Sequence, residues 1–127
     1  MYSFKKSERL CSKVLIDKLF ESKQHIHHPL FKVLWMPIAH SDAPAQVLMV
    51  VPKRSIKKAV DRNPIKRRMR EAYRLHKHLL YAQLGDAKIC LAIIYLPKKE
   101  STYAEIEAGI KECLNKLIQK VNAKKSA

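Results

Sequence analysis

The residues best able to do chemistry in this chain are cations. Between Lys53 and Lys77, eleven of 25 residues are Lys or Arg against only Asp61 and Glu71, so this fifth of the sequence holds +9 of a net charge of +15. Within it Lys66, Arg70 and Arg74 recur at i, i+4 and i+8. On a helix that spacing stacks like charges on one face, at about 0.2–0.5 kcal/mol of repulsion per pair. A face built for solubility alone would interleave acids there, and only Glu71 is at hand. A row of guanidinium and ammonium groups suits closely spaced phosphates, which neutralise several at once. Lys53, Arg54, Lys57 and Lys58 extend the row from the segment before the helix, where backbone amides can also reach phosphate oxygens.

The remaining polar groups form no comparable constellation. His25, His27 and His28 with Cys11 lack a fourth ligand at a recognised interval, so no metal site is expected on them. Cys11, Cys90 and Cys113 make no C-x-x-C pair and are expected to be buried thiols of a reducing compartment. Asp61 and Glu71 lie in a basic field that keeps both ionised, which argues against a general acid–base pair. With two glycines in the chain there is no glycine-rich phosphate loop, and no catalytic residue is assigned. The N-terminus MYSFKKSERL lacks the apolar stretch of a secretory signal, and no apolar run approaches the roughly 20 residues that span a bilayer. A cytoplasmic location with no membrane partner is expected.

The elements that must position the cations read as follows. Residues 3–9 are a loose basic arm. Ser12 caps a helix carrying Val14, Leu15, Ile16, Leu19 and Phe20 at helical spacing. SKQHIHHP is a connector ending at Pro29. Residues 30–38 form a strand with Phe31, Val33 and Trp35 on one face and Leu34 and Met36 on the other, and residues 46–51 are apolar enough for a central strand. The basic helix starts at Asn63–Pro64, or with Asp61 as its cap, and runs to about Gln83 before Gly85. On its wheel Ile65, Met69, Ala72, Tyr73, His76, Leu79 and Leu80 make the buried stripe. Asn63, Lys66, Arg67, Arg70, Arg74 and Lys77 make the solvent face, with Arg62 and Arg68 flanking the stripe. A third strand over 88–95, a last helix capped by Thr102 and a frayed tail NAKKSA complete the chain. In 127 residues, 47% of them apolar, this order predicts one α+β domain. It is an α/β two-layer sandwich, a small mixed sheet with helices packed on it, ordered over about residues 5–121.

From Lys53 to Arg74 the stretch KRSIKKAVDRNPIKRRMREAYR resembles the signature of the bacterial ribonuclease P protein subunit. That family has a basic pair after a strand and then Arg-Asn-x-x-Lys-Arg-x-x-Arg-Glu-x-x-Arg. Arg62, Asn63, Lys66, Arg67, Arg70, Glu71 and Arg74 match it position by position. The resemblance implies a left-handed βαβ crossover through the basic helix, against the usual hand. It also implies the protein cofactor of a ribonucleoprotein endonuclease whose catalyst is RNA. Lys53, Arg54, Lys57, Lys58, Arg62, Asn63, Lys66, Arg67, Arg70 and Arg74 would contact the catalytic RNA subunit. The 5′ leader of precursor tRNA would lie between the first helix and the outer sheet face, with Ile16, Phe20, Phe31, Lys32, Leu34 and Trp35 as its candidate contacts. Magnesium would be held mainly by RNA phosphates, with Asn63 or Asp61 assisting through water. No obligate protein partner is implied.

The chain departs from the family in three places. Ile16 and Leu34 stand where an aromatic is common. Tyr95 and Leu96 precede Lys98 and Lys99 where the last strand usually ends on a basic residue, and Pro64 replaces a residue often basic. Two other readings stay open. A ribosomal or assembly module would bind rRNA without stimulating precursor cleavage, and a protein-only nuclease would cleave without any RNA.

Overall fold

The computed structural model describes the backbone of residues 5–126 and side chains through residue 123. A 3-10 turn (Lys6–Glu8) is followed by α1 (Lys13–Phe20), β1 (His25–His27), β2 (Phe31–Ile38), β3 (Ala45–Val50), α2 (Ala59–Leu84), β4 (Lys88–Tyr95) and α3 (Tyr103–Ser126). The sheet order is β1-β2-β4-β3, antiparallel at β1–β2 and β2–β4 and parallel at β3–β4. Helix α2 is therefore the crossover between two neighbouring parallel strands, and the cationic segment enters it directly from the end of β3.

Local sequence accounts for most element ends. The Ser12 hydroxyl accepts a hydrogen bond from the Leu15 amide at 3.3 Å. Thr102 and Glu105 form a reciprocal capping box, at 3.2 Å from the Glu105 amide and 2.9 Å from the Thr102 amide. Gly85 ends α2 at φ 58°, the left-handed region that favours glycine.

Strand alternation divides the apolar residues between two faces. Phe31, Val33, Trp35, Val47, Met49, Leu91 and Ile93 pack under α2 and α3, against Ile65, Met69, Tyr73, Leu80, Ile106, Ile110 and Leu114. Leu34, Cys90, Ala92 and Ile94 face the other way, beneath Leu10 and Leu19. β4 is buried on both faces, which is why KICLAIIY is apolar almost throughout. Its neighbours are not. α1 has eight residues against 26 and 24 in α2 and α3, and it leaves Met36, Ile38, Leu48 and Val50 only partly covered. The outer face thus carries a thin third layer over part of its width.

Several expectations are corrected. The connector contains β1, with Ile26 buried between exposed His25 and His27. Helix α2 starts at Ala59, with Lys58 as an N-cap that makes no side-chain cap bond. Pro64 consequently lies inside the helix and cannot donate to the Val60 carbonyl, and Val60 is 72% exposed, so water can serve that oxygen. Ordered structure replaces the loose arm from Lys5 onward, while residues 3 and 4 lie outside the described range. Glu8 is buried, and the Leu10 amide donates to the Val47 carbonyl at 3.0 Å, along the free edge of β3. Cys11 is exposed, unlike Cys90 and Cys113, whose thiols burial pushes up to about 11 and about 12. The tail NAKKSA is helical to Ser126, and Ala127 lies outside the described residues.

Candidate nucleic-acid interface

The turn after β3 is built to hold cations outward. The Pro52 carbonyl accepts from the Ser55 and Ile56 amides at 3.0 and 3.1 Å, which projects Lys53 and Arg54 from the turn. The buried Ser55 hydroxyl lies 3.3 Å from the Tyr95 and Leu96 carbonyls and ties the turn to the exit of β4. From α2, Arg62 Nη1 donates to the Ile56 and Lys57 carbonyls at 3.1 and 2.7 Å. Carbonyls do not neutralise a guanidinium, so Arg62 keeps its charge, but that edge of its fork braces the loop. Lys53, Arg54, Lys57 and Lys58 are all exposed. Arg54, Lys57 and Lys58 line a hollow of about 670 Å³ together with Lys98, Asp61 and Glu100. Lys98 comes from the loop after β4, where the sequence offers it with Lys99 in place of the basic residue that usually ends the last strand. Only the crossover topology brings it here.

Along α2 the cationic face is shorter than its wheel implies. Lys66, Arg67 and Arg70 make no hydrogen bond or ion pair with another described residue, and Arg67, Arg70 and Asn63 are exposed. Arg74 instead closes on Glu71 through two contacts, one of them 3.1 Å from Nε. The Arg74 hydrogen bond outweighs desolvation and holds the Glu71 carboxyl below its usual range.

Lys77, expected on the solvent face, is 7% exposed, and its ammonium meets buried Glu8 at 2.5 Å. A wheel cannot foresee this, because the N-terminal segment folds over the last turns of α2 and turns that side of the helix inward. His76 and Leu79 are half-buried at the margin, and Leu84 joins the stripe. Arg68, on the flank of the stripe, donates to the Ser101 carbonyl at 3.0 Å and pairs with Glu100 at 2.5 Å.

The leader candidates do not share one surface. Ile16, Lys32 and Leu34 belong to the outer face, and Phe20, 48% exposed, stands at the last turn of α1. Phe31 and Trp35, at 0% and 3% exposure, are core residues under α2 and α3 and cannot line that groove. The reason is strand parity: odd positions of β2 face inward, whereas Lys32, Leu34 and Met36 face outward. The same parity rule would have found the other outward apolar residues, Met36, Ile38, Leu48 and Val50. Among the described residues no group of three or more His, Cys, Asp or Glu is gathered to hold a metal ion. No described helix is long and apolar enough to cross a membrane.

Fold and surface together define a small α/β protein that presents unpaired cations at a crossover helix, beside a partly open sheet face. The family profile described as Ribonuclease P matches residues 4–120. The ribonuclease P protein component of Porphyromonas gingivalis is 38% identical over 75% of this chain and 70% of its own length. That of Chlorobaculum tepidum is 43% identical over 57% and 54%. The chain belongs to the ribonuclease P protein family. Among solved structures, the Staphylococcus aureus RNase P protein superposes with a TM-score of 0.68 at 22% identity, over 88% of this chain and 96% of that one. The Thermotoga maritima protein gives 0.65 at 20%, over 89% and 96%. At those identities the structural likeness speaks for the fold.

Proposed function

We propose that this chain is the protein subunit of ribonuclease P, and that it binds the catalytic RNA through the Lys53–Lys58 turn and the adjoining face of α2. It holds the 5′ leader of precursor tRNA on the outer sheet face and assists hydrolytic maturation of the 5′ end. The observation that carries this reading is the set of cations at the crossover, Lys53, Arg54, Lys57, Lys58, Lys66, Arg67 and Arg70, without a carboxylate partner among the described residues. Uncompensated cations at that density are a stable arrangement once phosphates arrive and release their counterions. Arg62 and Ser55 position them, and Arg74 joins by exchanging Glu71 for phosphate.

The outer face supplies the second contact: a partly covered apolar floor, Phe20 at its rim for base stacking and Lys32 for the backbone. Magnesium, when bound, would be held mainly by RNA phosphates and would supply activation of the attacking water; Asp61 and Asn63, both exposed in the first turns of α2, would assist in holding it through water.

Reconstitution of the purified protein with its catalytic RNA and a precursor tRNA at low magnesium tests the proposal. The protein is expected to stimulate 5′ cleavage that it does not perform alone. RNA binding without stimulation would favour an assembly module, and cleavage free of RNA a protein-only nuclease. Arg70→Ala is expected to weaken association with the catalytic RNA and to reduce the salt slope by about one counterion. An unchanged slope would remove Arg70 from the phosphate interface.

A further inference from the structure

Strand β1 puts two imidazoles where the leader groove would continue. It pairs antiparallel with β2 in the register His25↔Leu34 and His27↔Lys32. Directly opposed residues of an antiparallel pair project to the same side, so His25 and His27 share the outer face with Lys32 and Leu34, while Ile26 between them enters the core at 4% exposure. Both histidines are exposed, and β1 is the edge of the sheet. Their rings meet edge to face with centroids 4.6 Å apart.

The surroundings are cationic from every side that packs on them. Lys32 comes from β2. Lys120 of α3 acts on His25, and Lys116 of α3 donates to the His27 carbonyl at 3.2 Å. Among the described residues no carboxylate pairs with either ring, and Glu112 of α3 is taken by His28 at 2.6 Å. Partial desolvation first, then the charges of His27, Lys32 and Lys120, hold the His25 ring below the ordinary histidine pKa. The Lys23 carbonyl, an acceptor only, lies 3.4 Å from His25 Nδ1 and selects the tautomer protonated there. The neutral ring then offers a lone pair at Nε2, and the protonated ring offers a second N–H.

We propose that His25 and His27 extend the leader groove over the edge strand as proton-gated contacts for leader phosphates, so that leader binding is accompanied by proton uptake at this pair. A phosphate supplies the anion that the cluster lacks, and its charge draws a proton onto the pair, against the desolvation and cationic surroundings that disfavour protonation of His25 in the free protein. The proposal rests on the leader-groove reading above and adds to it residues that sequence placed in a connector.

The test uses the holoenzyme assembled with its catalytic RNA. Its affinity for precursor tRNA is measured with a long leader and with a single-nucleotide leader at pH 6 and pH 8, under conditions that suppress cleavage. The ratio of the two affinities cancels titrations elsewhere in the complex. For the unaltered protein the leader advantage is expected to be about fivefold larger at pH 6, the size of a well-made exposed ion contact. His25→Gln/His27→Gln should show a pH-independent advantage at the lower value, and His25→Lys/His27→Lys should hold the higher value at both pH values, with melting curves verifying that both variants fold. A pH-dependent advantage that survives in the glutamine variant overturns this proposal and leaves the groove standing. If the unaltered protein shows no leader advantage at either pH, the groove itself fails and the proposal falls with it.

Discussion

Glu8 shows how one side chain can decide the fate of several others. Its carboxylate is 4% exposed and accepts from Lys77, from the Tyr81 hydroxyl and from the Lys5 amide at 2.9 Å. Burial works to raise its pKa, but the hydrogen bonds from Lys77, Tyr81 and Lys5 and the Lys77 charge together bring it below the ordinary value of 4.5. Because the folded pKa is depressed, the contribution is fully present above the unfolded pKa and is lost as pH falls through the folded one. Urea denaturation is therefore expected to show a drop in stability below about pH 4.5 to which Glu8 contributes, smaller in Glu8→Gln. Glu8→Ala should cost about 3–5 kcal/mol at neutral pH, since it removes the carboxylate that neutralises the Lys77 ammonium in a buried site. An alanine variant as stable as the parent would show that Lys77 escapes to solvent.

At the scale of elements, the placement of α3 depends on a close approach at Gly109. A Cβ built there would lie 2.7 Å from Phe31 Cε2 and 3.1 Å from the His28 ring. Phe31 is fully buried and packs edge-on to Tyr95 with centroids 6.1 Å apart, so its ring has little room to yield. Alanine gains roughly 1 kcal/mol of helix propensity over glycine, but overpacking costs about 1–3 kcal/mol. Gly109→Ala is thus expected to lower stability in denaturant melts, and a gain would mean that α3 and the ring can move apart cheaply. Lys116 and Lys120 ride on α3, so its seating also sets the cationic surroundings of β1. The α2 start follows the same logic. Tertiary packing carried the helix back to Ala59 past Pro64, although the local signal pointed to Asn63 as its cap.

The whole molecule carries +15, and five of its eleven acids are committed to internal pairs: Glu8 to Lys77, Glu71 to Arg74, Glu100 to Arg68, Glu107 to His76 and Glu112 to His28. What remains is self-repelling. Raising sodium chloride from about 0.05 to 0.5 M should therefore raise the melting temperature of the free protein by a few degrees, by screening. A flat or falling response would show that the chain already compensates its own charge.

Sequence by itself determined α1, β2, β3 and β4 to within a residue or two, the start of α3, the caps at Ser12 and Thr102, and the cationic character of α2. These follow from local capping chemistry and from periodicities of two and 3.6, which any segment carries within itself. It did not determine β1, because three residues are too short for alternation to register and only pairing with β2 orders them. Nor did it determine Lys77, Arg74, Phe31 or Trp35 as they stand. Each depends on which distant surface folds over it, and that is set by sheet order and by the N-terminal segment closing on α2. Tertiary structure alone gathered Lys98 with the crossover cations and His25 with Lys32, since charges far apart in sequence act together only where the chain has brought them within reach of one another.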